Sequence, residues 1–418
     1  MYAILSNTQF DLKVLTPVVL LLFIAAIIPV ILAGLKIKFI PVLVIEIIIG
    51  ILLGSFKTNE LFVKNDELTF LMEGLYVIGM AVLLFLSGLD TDFSSVKSIE
   101  KNVNRIRINA LTTILLLSII AFSTITSLFF YKYMNNYILG VILLTIVFSS
   151  TFASIIIPLI HNEELYDTTI GKIIALYATK SEILSIITLS LVMLIEGFAS
   201  KENNPFLLVV IVIILILVYI FNRYFKIERF KKISGGIIHF SIRLIFSILL
   251  GLIILCSISG VEFILGAFFA GMVIKSAKPT KDTVYKLEII GFGLFVPIFY
   301  ILVGVKIGLH MPIYKILKWE NLSLIILLFA ILIIMKIPFM YLLKWFKIST
   351  VIQTTIFVAC TLISSITIHE FGVFDEKFID ALIVASCLTC IIPPVIFNIT
   401  KNYGRGKNEN DTRIINPN

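Results

Sequence analysis

The chain has 418 residues, of which 59% are hydrophobic and only 14% charged, with a mean hydropathy of +1.08. A water-soluble globule cannot hide that much apolar surface, so soluble enzymes and soluble binding modules are excluded and the solvent must be lipid. The net charge of +8 does not mark a nucleic-acid binder either, because the basic residues sit in short connectors beside apolar segments, where they set membrane orientation.

Apolar runs of about twenty residues, the length a helix needs to cross a hydrocarbon core of roughly 30 Å, recur from Val14 almost to Thr400. In chain order the spans are expected to start near Val14, Ile37, Leu71, Ile108, Tyr137, Thr168, Pro205, Gly236, Val261, Lys286, Leu322, Val351 and Lys377. That pattern predicts an all-α polytopic membrane protein of thirteen transmembrane helices, filling residues 1–400 and followed by a polar cytoplasmic tail over 401–418. The first segment is long and lacks a small-residue cleavage site, so it reads as a retained helix. Connectors carrying Lys97, Lys101, Arg105 and Arg107, then Arg223, Lys226, Arg229, Lys231 and Lys232, then Lys275, Lys278, Lys281 and Lys286 all fall on one side of this count, as does the tail with Lys401, Arg405, Lys407 and Arg413. Positive charge stays inside, which predicts an outside N-terminus and a cytoplasmic C-terminus in the cell membrane.

Two segments look alike: Ala81–Asp90 in the third span and Pro297–Lys306 in the tenth, with Gly88 aligned to Gly304. The offset of seven spans is odd, so the matched helices cross in opposite directions, as in an inverted-topology repeat. Spans one to six (about 14–197) and eight to thirteen (about 236–400) would then be the repeats, with the seventh (about 205–225) linking them.

An ionisable group at membrane depth costs several kcal/mol on most scales unless it can reach the interface. Arg243, Lys306 and Glu73 lie near span ends and are expected to snorkel. Glu182 cannot, because the sixth span is apolar from Ile170 to Tyr177 before it and from Ile183 to Leu194 after it. Such a carboxylate can carry either a proton or a cation. Lys336, deep in the eleventh span, is the expected positive partner. Lys180 flanks Glu182 but lies roughly opposite it on the helix, and no role for it follows from the sequence. Glu46 and the hydroxyl run Ser149-Ser150-Thr151 are also deep, and Ser364-Ser365 recurs seven spans later. Hydroxyls and unwound carbonyls are hard ligands suited to a small monovalent cation, but packing through small residues explains these runs equally well. The cysteines, Cys256, Cys360, Cys387 and Cys390, lie in apolar runs and read as packing residues rather than redox or metal ligands.

These residues resemble the monovalent cation/proton antiporter superfamily, particularly its second family of bacterial sodium/proton and potassium/proton antiporters. The resemblance rests on Leu35–Gly54, Leu83–Asp90, Leu265–Gly271 and Val296–Lys306. It implies a homodimer-forming fold with a dimerisation domain and a mobile core, in which the fifth and twelfth spans unwind and cross at mid-membrane. It also implies a proton and cation site where the family's acid pair falls on Ser181 and Glu182, with a family lysine on Lys336. Ser181 departs from the family pattern and leaves one titrating carboxylate. The implied activity is exchange of Na+ or K+ for protons, with Glu182, Ser181, Ser150 and Thr151 binding the ion and Lys336 as charge partner. No metal or other cofactor is expected. Two alternatives stay open: a non-transporting membrane partner or immunity-type protein on a degenerate antiporter scaffold, and an organic-solute carrier of related fold. An intramembrane enzyme is disfavoured by the lack of HExxH and GxSxG motifs.

Overall fold

The computed structural model describes residues 15–34, 42–56, 66–90, 104–151, 153, 156, 169–199, 240–258, 263–276, 279–336, 364–365, 368, 371–390 and 392. The described residues are almost wholly helical: α1 (Thr16–Gly34), α2 (Val42–Ser55), α3 (Asp66–Asp90), α4 (Asn104–Ser127), α5 (Tyr137–Ser149), α6 (Thr169–Ala199), α7 (Phe240–Ile258), α8 (Phe263–Ser276), α9 (Lys281–Ile290), α10 (Val296–His310), α11 (Trp319–Ile334) and α12 over 376–390. A π-helical turn, Gly291–Phe295, joins α9 to α10. Among the described residues four helical stretches are long and apolar enough to cross a membrane: Thr16–Gly34, Leu68–Leu89, Asn109–Tyr133 and Lys281–Leu309. Helices begin within a few residues of eleven of the expected span starts. The expected starts at Pro205 and Val351, and the tail after Lys401, lie outside the described residues.

The chain divides into two compact units. The first comprises residues 1–38, 42–83 and 281–317. Its centre is the crossing of α2 and α10, made possible by two glycines on each helix at a spacing of four. A methyl group at Gly50 would lie 2.8 Å from Gly304 Cα, and one at Gly308 would lie 3.0 Å from Gly54 Cα. Lipid supplies no hydrophobic drive between helices, so backbones in this close contact gain their stability from dispersion, and glycine is what lets them approach. Near this crossing Lys306 Nζ sits 3.9 Å from the ring centre of Tyr76. Tyr76 in turn packs on Phe299 at 5.3 Å.

The second unit comprises residues 39–41, 84–280 and 318–418. Here the end of α3 crosses α8, where a methyl group at Gly88 would lie 3.2 Å from Gly271 Cα. Most hydroxyls of α4 hydrogen-bond the helix's own carbonyls, as Thr124 Oγ1 does to Ile120 O at 2.8 Å. That satisfies hydroxyls in a medium with no water. Ser127 Oγ also pairs with Thr145 Oγ1 at 3.0 Å, tying α4 to α5.

The start of α5 is fixed from two directions. Asn136 accepts from Leu139 N at 3.4 Å, the side-chain cap that a helix N-terminus requires. Just before it, Met134 forms an isolated antiparallel bridge with Phe374, supported by Asn135 N to Val373 O at 2.8 Å and Asp375 N to Tyr133 O at 3.2 Å. Gly372, at φ +60°, supplies the left-handed turn that this docking needs and that a β-carbon would strain. Rings of Phe130, Tyr133, Phe148, Phe374 and Phe378 pack around the same joint. α5 is thereby anchored at its start to the start of α12, and its other end is free to stop within the protein.

Candidate functional site

α5 stops at Ser149, and Ser150 turns extended at φ −65°, ψ 158°. A helix end leaves its last carbonyls without intrahelical partners, and within a bilayer no water takes them. Lys336 supplies the missing donors. Its fully buried ammonium lies 3.1 Å from Phe148 O, 3.2 Å from Ser149 O, 2.8 Å from Ser150 O and 3.4 Å from Thr151 Oγ1. A cation at a helix C-terminus also meets the negative end of the helix dipole.

From α6, Tyr177 Oη and Ser181 Oγ both donate to Ser149 O, at 3.3 and 3.0 Å. One turn separates these two residues on the helix, so they face the same break. Beyond the break, the backbone N–H of Ala153 donates to Glu182 Oε2 at 3.2 Å. Glu182 is only 7% exposed. The broken segment thus accepts from an ammonium through its carbonyls and donates to a carboxylate through an N–H.

The twelfth expected span reaches the same point. Ser150 Oγ and Ser364 Oγ are 2.6 Å apart. Ser150 Oγ also lies 3.0 Å from Val147 O, to which it can donate, and either hydroxyl can be the donor between the two serines. Ser365 Oγ lies 2.6 Å from Ser386 Oγ on α12. Five of the residues singled out in the sequence therefore come together: Glu182, Ser181, Ser150, Thr151 and Lys336. The Lys336 ammonium meets the carbonyls and hydroxyl of residues 148–151, on the same break that Glu182 faces.

The remaining candidates fall elsewhere. Glu46 is buried on α2, in the first unit. Lys180 turns to α4, where its ammonium meets Asn109, Thr112 and Thr113. Cys256, Cys387 and Cys390 are buried thiols without a disulfide, and Cys360 lies outside the described residues. Among the described residues no group of His, Cys, Asp and Glu is arranged to hold a metal ion. Sequence reasoning passes over Tyr177, whose signal is its position one turn before Ser181.

The family model described as sodium/hydrogen exchanger, transmembrane, matches residues 19–358. The chain belongs to this family. Sodium/hydrogen exchangers fall within the monovalent cation/proton antiporter superfamily to which the sequence motifs pointed, and the chain is accordingly a multi-pass membrane protein. Among curated relatives it is 30% identical over 410 residues to the putative Na(+)/H(+) antiporter YjbQ of Bacillus subtilis (strain 168), covering 95% of this chain and 64% of that protein. The chain therefore spans somewhat under two thirds of that relative's length. It is 25% identical over 371 residues to the probable Na(+)/H(+) antiporter 3 of Methanocaldococcus jannaschii, covering 85% of this chain and 89% of the relative. The fold is shared with the solved structure of the sodium proton antiporter MjNhaP1 from Methanocaldococcus jannaschii at pH 8, at TM-score 0.54 and 15% identity, over 93% of this chain and 96% of that one. The exchanger match takes in Ser150, Thr151, Ser181, Glu182 and Lys336, while Ser364 lies past its end.

Proposed function

We propose that the chain exchanges a monovalent cation, Na+ or K+, for protons across the cytoplasmic membrane by alternating access. The observation that carries this proposal is Glu182, a buried carboxylate facing a helix that is interrupted beside it, with Ala153 N on one oxygen and hydroxyls of Ser181, Ser150 and Thr151 along the same break. An ionised carboxylate is expensive at this depth. A bound proton or a bound cation each cancels its charge, so either loaded form crosses at low cost while the empty form does not. Coupled exchange follows from that difference. Because Ser181 stands where the family carries an acid or amide, one carboxylate serves one proton and one cation in turn.

Lys336 acts as charge partner: its ammonium, held by the carbonyls at the interrupted end of α5, competes with the cation for the Glu182 carboxylate. A cation arriving at Glu182 shifts the balance of charge that Lys336 helps set. The wider architecture belongs to the same proposal. Thirteen spans arranged as repeats of about 14–197 and 236–400 around a linker, with the fifth and twelfth crossing, are supported by the Ser150–Ser364 contact and by the glycine crossings. The third expected span crosses the ninth and the tenth crosses the second, which is one pairing repeated when the second half is laid on the first. An outside N-terminus, a cytoplasmic C-terminus and a homodimer complete the proposal.

The test uses inverted vesicles from an antiporter-deficient bacterial strain. With an acid interior imposed, addition of Na+, Li+ or K+ is expected to release protons from vesicles with the unaltered protein, and not from those with Glu182→Gln. Well-inserted protein that responds to none of these cations from neutral to alkaline pH overturns the proposal.

A further inference from the structure

Lys180 is a membrane-depth charge for which cation/proton exchange supplies no role. Its ammonium lies 2.6 Å from Asn109 Oδ1, 2.8 Å from Thr112 Oγ1, 3.0 Å from Thr113 Oγ1 and 3.2 Å from Asn109 O. All four oxygens are neutral and come from about one turn of α4. Thr112 Oγ1 and Thr113 Oγ1 each donate to Asn109 O at 2.9 Å. Their protons are thus committed, and the lone pairs left over accept from the ammonium. Thr112 is fully buried and Lys180 is half-buried. An oxygen cluster holding a charge by its dipoles alone works as carbonyl rings do in ion filters. The oxygens stand at hydrogen-bonding distance around the ammonium nitrogen, an arrangement that suits a singly charged ion of ammonium or potassium size.

We propose that Asn109, Thr112 and Thr113 form a monovalent-cation site separate from Glu182, which Lys180 fills with its own ammonium as a tethered occupant. Lys180 lies two residues before Glu182 on α6, so the tether fixes α6 against α4 at the level of the exchanging carboxylate. It is a positioning residue. Only this consequence for Glu182 rests on the exchange proposal; the site itself does not.

The test is ion-specific rescue. Purified Lys180→Ala in detergent is heated in the chlorides of ammonium, methylammonium, potassium or choline at equal ionic strength. The variant should melt below the unaltered protein and regain stability saturably with ammonium or potassium but not choline. Adding Thr112→Val should remove the gain, and the unaltered protein should show none. A response equal in choline, or one that survives Thr112→Val, overturns the proposal. Should Lys180→Ala fail to accumulate, amine acylation read by mass spectrometry decides the matter in a chain that keeps its lysine. Lys180 should label several-fold faster in Asn109→Ala/Thr113→Val than in the unaltered protein, and equal labelling overturns the site. Neither readout requires transport, so a failure of the site is distinct from a failure of exchange.

Discussion

Lys336→Met removes the ammonium at the end of α5 while keeping most of the stem's volume. Ser149 O keeps its bonds from Tyr177 and Ser181, but Phe148 O and Ser150 O lose the ammonium as donor. A buried carbonyl deprived of its partner costs about 1–3 kcal/mol, so two cost roughly 2–6 kcal/mol. Part of this is offset because an ammonium is no longer buried, and a net loss of about 2 kcal/mol is expected. The assay is unfolding in mixed micelles titrated with a denaturing detergent, followed by the fluorescence of Trp319 and Trp345. A second background makes the test sharper. If Lys336 served only to neutralise Glu182, Glu182→Gln would restore the stability lost in Lys336→Met. If it serves the helix end, the loss persists with Gln at position 182. Full restoration in the double variant, or no loss in the single one, refutes the assignment of Lys336 to the broken end of α5.

Glu182→Gln keeps an acceptor for Ala153 N, so its stability should stay within about 1 kcal/mol of the unaltered protein while cation-driven proton release disappears; comparing the same vesicle preparation in both assays checks it. Because proton and cation compete for one carboxylate, lowering the pH should raise the apparent KM for the cation by up to about tenfold per pH unit, and a KM that ignores pH would separate the two ions. Gly50→Ala places a methyl 2.8 Å from Gly304 Cα; overpacking of this kind costs about 1–3 kcal/mol, and more where only backbone can move, to be read in the same detergent titration. Ser364→Ala should cost about 1 kcal/mol and Ser150→Ala, which also gives up its bond to Val147 O, somewhat more, with the double variant little worse than Ser150→Ala alone because the bond they share is lost once; additive losses would show that the pair is not coupled.

Much of the architecture was legible in the chain because its causes are local. Hydrophobic length is a sum over neighbouring residues, and it located helices from α1 to α12 close to their starts. A carboxylate flanked on both sides by apolar residues cannot face lipid, whatever the fold, which singled out Glu182. Gly50 with Gly54 and Gly304 with Gly308 are visible as small-residue pairs in their own helices. That they face one another across some 250 residues of sequence is not visible, since many helices could take either face.

The same limit governs the charges. The sequence determined that Lys336 and Lys180 needed partners at depth, because an ammonium in lipid must be satisfied. It did not determine which. Lys336 reads as the partner of Glu182 from its charge, and the structure adds the carbonyls at the interrupted end of α5, which attract an ammonium as a carboxylate does. Lys180 looked idle because its oxygens belong to α4, about seventy residues earlier. Composition fixes what each residue must avoid, whereas the partner that satisfies it is chosen by the helix that packs alongside.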